Sequence, residues 1–145
     1  MVKPHPYLRA YMAGVVVPSI FLLVPMSIYA YHQFYLEVPS QFVFGLPARP
    51  LERALAFPMA IVPNLWGAWN MLYVATRGRS PLNIGTHGAL LPLVLIPFGV
   101  ALAGAFDIFH IQLRFALPVV PIGMAVYYLA WKYLVGFLND EVGIA

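Results

Sequence analysis

The side chains best equipped for chemistry sit in the run Asp107-Ile108-Phe109-His110. Residues i and i+3 share a face of a helix, which sets Asp107 beside His110. An acid is mildly unfavourable near a helix C-terminus, so Asp107 asks for a reason. If the chain crosses a membrane four times, His32 at the end of the first span emerges on the same side, with Glu37, Glu52 and Arg114. His32, Asp107 and His110 could then hold a metal through imidazole and carboxylate ligands, or act as an acid/base group. The plainer reading is that these groups meet water at the membrane boundary, with Asp107 paired to Arg114 or Arg53. A bis-histidine haem on His32 and His110 would need both rings inside the bundle at matching depth, and both lie at span edges.

The remaining candidates are amides and caps. Asn64 and Asn70 share one broad side of a helix with Gly67. An amide in lipid seeks a hydrogen-bond partner, and a small residue lets a neighbouring backbone approach. These three read first as packing contacts and second as a substrate path through Asn64. Ala10/Gly14 and Gly99/Ala103 carry the same small-residue spacing. Asn83 or Thr86 suits a helix N-cap, with His87 at the interface. Ser19, Ser27, Ser40 and Ser80 are the serines, and none sits in a nucleophile-elbow pattern. There is no phosphate loop, dinucleotide fingerprint or zincin motif, and no motif calls for a cofactor. With no cysteine, the sequence offers no disulfide, thiolate site or cysteine nucleophile.

The elements that must position these residues follow from composition. Of 145 residues, 62% are apolar and 9% charged, where a soluble domain carries about 25% charged. With a mean hydropathy of +0.82, so few charges exclude a soluble enzyme, a disordered chain and a nucleic-acid module. No Asp, Glu, Lys or Arg occurs from Ala10 to Leu36, Ala54 to Thr76, Ser80 to Phe106 or Phe115 to Trp131. A helix needs about 20 residues to cross the hydrocarbon core. The sequence predicts an all-α integral membrane protein: one bundle of four antiparallel transmembrane helices, near 10–33, 53–76, 87–108 and 114–138. The apolar runs lack period-2 alternation, which argues against a barrel. The first run exceeds a signal-peptide core, and Ile28 at the −3 place of a cut after Ala30 argues for a retained span.

Prolines fall two to a span: Pro18 and Pro25, Pro58 and Pro63, Pro92 and Pro97, Pro118 and Pro121. Each removes a helical hydrogen bond and displaces a carbonyl, so kinked helices are expected. Pro92 lies near the expected start of its helix, where the cost is small. The freed midplane carbonyls suggest either curved packing or a cavity.

Lys3, Arg9, Arg77, Arg79 and Lys132 fall on the side of the termini, against Arg49, Arg53 and Arg114 on the other. That bias favours cytoplasmic termini, in a prokaryotic inner membrane. Trp131, Tyr127, Tyr128 and Tyr133, with Tyr7 and Tyr11, read as interfacial anchors on the terminal side. The segment 34–52 is expected on the interface or over the bundle mouth, and Leu113 and Arg114 are expected in a very short link that makes the last two helices a tight antiparallel hairpin. The function expected is that of a small non-catalytic membrane protein, an accessory or self-assembling subunit. Its partners would be the lipid bilayer and other membrane chains, in a homo- or hetero-oligomer, and not nucleic acid. A small transporter or channel using Asn64 and the midplane carbonyls is the alternative. A membrane enzyme or metal site using His32, Asp107 and His110 is the third.

Overall fold

A computed structural model describes the backbone of residues 5–35, 42–43, 46–105 and 118–144, with side chains over 5–35, 61–105 and 118–144. Helix α1 runs Pro6–Phe34 and α2 Ala48–Thr76. A short α3, Ile84–Ala89, leads into α4, Leu91–Ala105. The last helix is continuous in space and has three parts: α5 (Val119–Leu129), a π-helical segment (Ala130–Val135) and α6 (Gly136–Glu141). Between α1 and α2, β1 (Phe42–Val43) pairs antiparallel with β2 (Leu46–Pro47), Phe42 opposite Pro47.

The fold is helical, with three helices long and apolar enough to cross a membrane: Pro6–Phe34, Ile84–Ala105 and Val119–Glu141. The fourth, α2, is not among these candidate spans. Its N-terminal side chains, 48–60, lie outside the described residues. The expected link at Leu113 and Arg114 does so too.

Boundaries move from the sequence expectation for identifiable reasons. Helix α1 starts at Pro6, because proline at the first helical position gives up a donor that has no partner there. Pro50 likewise falls within the first turn of α2, so that helix starts at Ala48, ahead of the expected 53. Asn83 caps α3, its side chain accepting from the Thr86 N–H at 2.9 Å, so the third span begins at Ile84 and not 87. Pro92 therefore lies inside the span and not at its cheap start. It cannot donate to Gly88, and the chain breaks into α3 and α4 at Leu90. The last helix begins five residues later than expected, directly after Pro118.

The helices alternate in direction. On α1 and α2, Ala10 faces Asn70, Gly14 faces Trp66 and Gly67, and Pro18 and Val62 line one cavity, so the two run antiparallel. Trp66 meets Tyr127 and Trp131, Asn70 meets Asn139, and Arg77 meets Ile144, so α2 and the last helix run parallel. The start of α1, residues 139–144 and the 77–83 turn consequently gather at one end of the bundle.

Close approach there depends on glycine. A Cβ on Gly14 would lie 2.6 Å from the Trp66 carbonyl oxygen and 2.9 Å from Gly67 Cα. A Cβ on Gly88 would lie 2.0 Å from Trp131 Cγ, because α3 rests its backbone on that indole. Trp131 is 0% exposed and packs in a core with Val17, Trp66, Leu91 and Val135. The interfacial role expected of Trp131 is thereby corrected: a glycine on α3 opens a slot that admits the ring. Tyr127 also turns inward against Trp66, at 4.8 Å between ring centres, whereas Tyr133 stays exposed.

The π segment sets which side chains share this core. An α-helix has 3.6 residues per turn, so a step of four overshoots a full circuit. The wider π turn, closed by the Gly136 N–H donating to the Trp131 carbonyl, falls short of one instead. The two errors offset, and Tyr127, Trp131, Val135 and Asn139 all face the bundle.

Gly88→Ala is expected to destabilise the fold by roughly 1–3 kcal/mol through overpacking. Gly99→Ala, where a Cβ would meet nothing within 4 Å, is expected to fall within about ±0.5 kcal/mol. Unfolding of the two variants in the same detergent separates the outcomes.

Candidate functional site

The polar groups of the described residues concentrate at the terminal end. Asn70 is fully buried on α2. Its Nδ2 donates to the Ala10 carbonyl of α1 at 2.8 Å and to Asn139 Oδ1 of α6 at 2.7 Å. Asn139 Nδ2 donates back to Asn70 Oδ1 at 3.1 Å. Both N–H groups and the carbonyl of Asn70 are thus engaged, and three helices meet at one amide. Ala10, at 0% exposure, has no side chain to hold the helices apart.

The C-terminus closes over this node. After α6, the Gly143 N–H donates to the Asp140 carbonyl and the Ile144 N–H to the Asn139 carbonyl, both at 2.9 Å. This is the Schellman ending, and Gly143 supplies the positive φ it needs, at 68°. The hook tucks Ile144 into the interior, 4% exposed. Arg9 Nη1 donates to the Val142 carbonyl at 2.6 Å, and Arg77 Nη1 donates to the Ile144 carbonyl. Two guanidinium groups therefore satisfy carbonyls beyond the last helical turn.

His87 is buried within the bundle, 6% exposed. Its ring lies 5.1 Å from Trp69, 5.4 Å from Tyr73 and 6.1 Å from Trp131. Trp69 Nε1 donates to the His87 carbonyl at 2.9 Å, occupying an oxygen at the end of α3. The His87 Nδ1 has no hydrogen-bond partner among the described residues.

Two cavities adjoin these contacts. An apolar one of about 230 Å³ lies between α1, α2 and α5, walled by Pro18, Phe21, Val62, Trp66, Val126 and Tyr127. A larger one of about 450 Å³ opens at the terminal end beside Tyr73, Arg77, Lys132, Tyr133, Asn139 and Asp140.

The sequence candidates fall as follows. Asp107 and His110 lie outside the described residues, so their geometry with His32 does not enter. His32 is half-buried near the end of α1, edge-on to Tyr31. Among the described residues no three His, Cys, Asp or Glu side chains converge as a metal site would require. Asn64 is exposed, and its Oδ1 accepts from the Tyr11 hydroxyl across the α1–α2 contact. Gly67 is buried under the Tyr11 ring, 2.6 Å from where its Cβ would stand. Sequence reasoning passed over Asn139, Arg9 and Trp131 as partners. Asn139 precedes Asp140 and Glu141 and looks like part of a solvated tail, while the Gly85/Gly88 pair was the available sign of a buried aromatic. No family model, curated protein or solved structure matches this chain.

Asn70→Leu leaves the Asn139 amide buried without its partner and is expected to cost about 1–3 kcal/mol. Asn70→Leu with Asn139→Leu removes both amides and should recover part of that loss, giving a coupling of about 0.6–1.7 kcal/mol, the range of polar pairs in membrane helices. Denaturation of the four members of this cycle measures it.

Proposed function

We propose that this chain is a non-catalytic, multi-pass membrane subunit that assembles with other membrane chains, its own copies included. The observation that carries the reading is how its polar groups are used. Asn70, Asn139, Arg9 and Arg77 all bond to amides or carbonyls of the same chain, as expected of groups that fix a scaffold.

The outer surface supports assembly. Only 22% of the apolar stretch of α1 and 11% of that of the last helix are buried. On the last helix Val119, Ile122, Val126, Leu129 and Tyr133 are exposed at alternating steps of three and four, the spacing by which helices interlock. On α4 no described residue lies within 4 Å of where a Cβ on Gly99 or Gly104 would stand, so the close approach that small residues permit is available to a neighbour.

Cross-linking in native membranes is expected to give a discrete higher-mass species. Gly99→Leu should weaken that species several-fold, with unfolding of the single chain unchanged. Purification as a lone monomer that moves a solute after reconstitution would replace this reading with transport.

The excess of Lys and Arg on the terminal side supports cytoplasmic termini in a prokaryotic inner membrane. Because the chain has no cysteine, Gly78→Cys provides a single reporter in the exposed 77–79 turn. In intact cells it is expected to resist an impermeant thiol reagent, and to react once the membrane is opened.

A further inference from the structure

The cavity of about 450 Å³ at the terminal end has the size of a small-molecule site, about 300–1,000 Å³. Two of its walls come from the parallel helices α2 and α5–α6. Each of these contributes the first ionic side chain after a long uncharged run: Arg77 after residues 54–76, and Lys132 after 115–131. Two uncharged runs that end at one cavity set it where hydrocarbon gives way to lipid headgroups. Tyr73 and Tyr133 line the same space and are the aromatic type that prefers this depth.

We infer that this cavity binds the phosphodiester headgroup of an anionic membrane lipid. The charge balance selects that chemistry. Arg77 and Lys132 give two positive charges and Asp140 one negative, a net of +1. A phosphodiester carries a single negative charge, whereas a phosphomonoester or free phosphate approaches two. Donors remain for it. Lys132 has three N–H groups and forms no ion pair among the described residues. Its Nζ stands 5.7 and 5.3 Å from the ring centres of Tyr128 and Tyr133, which steer it without using its hydrogens. Arg77 spends Nη1 on the Ile144 carbonyl and keeps other guanidinium donors. Asp140 accepts from a headgroup hydroxyl, such as those of glycerol. Ile84 and Phe137 complete an apolar wall along which an acyl chain can leave, a feature for which a free phosphate has no use. The inference depends on the chain lying in a membrane and not on its assembly with others.

Native mass spectrometry of the full chain in detergent, with added phosphatidylglycerol or phosphatidylcholine, tests it. One phosphatidylglycerol per chain is expected, preferred several-fold over phosphatidylcholine and unmoved by millimolar inorganic phosphate. Lys132→Gln, at an exposed position, should lower occupancy about tenfold, the loss of one charge-assisted contact. Arg79→Gln, outside the cavity, should leave it unchanged. Asp140→Asn should raise the binding of phosphatidic acid, whose phosphomonoester carries the extra charge. Equal binding of the two lipids, indifference to Lys132→Gln, or displacement by phosphate would each overturn the proposal.

Discussion

The described end of this molecule depends on a hydrogen-bonding demand that lipid cannot meet. An amide placed at 0% exposure among apolar helices must find protein partners, and Asn70 finds one carbonyl and one amide on two other helices. Apolar contact alone discriminates poorly inside a bilayer, where lipid tails resemble leucine side chains. The reciprocal amide bond is directional, so it fixes the rotation of α2 and α6 about their axes as well as their distance.

Other features at that end serve the same geometry. Gly14 and Gly67 let α1 and α2 approach to backbone contact. Gly88 admits the Trp131 indole, and the π segment keeps Trp131 and Asn139 on one side of their helix. Pro92 breaks the third span beside the point where Trp69 donates to the His87 carbonyl at the end of α3. Away from this end the described parts of the three candidate spans present mostly outward-facing apolar side chains.

Much of this architecture was legible because charge is so scarce. Uncharged runs mark helices when ionic side chains cannot enter lipid, and Asn83 announced its cap by side-chain chemistry. Small residues at Ala10, Gly14 and Gly67 read as packing positions without a named partner, and the structure sets them between α1 and α2. The errors came where a local pattern has two meanings. An aromatic cluster near a basic residue reads as an interfacial belt, yet Trp131 and Tyr127 turn inward because Gly88 and Trp66 offer them surfaces. Asn139 was illegible, since its partner is 69 residues away and its inward direction depends on a π turn that no periodicity announces. Helix starts moved because the first turn tolerates proline, so α1 opens on Pro6 and α2 carries Pro50 in its first turn, both ahead of where the charges end.

The amide node also has a history in time. Ala10 and Asn70 leave the ribosome early, but Asn139 follows Asn70 by 69 residues, roughly 3–14 s of translation at about 5–20 residues per second. Throughout that interval Asn70 has its bond to the Ala10 carbonyl, while the two it exchanges with Asn139 are unmet. Until Asn139 has been added, the chain lacks the partner for two of the three hydrogen bonds that the Asn70 amide makes.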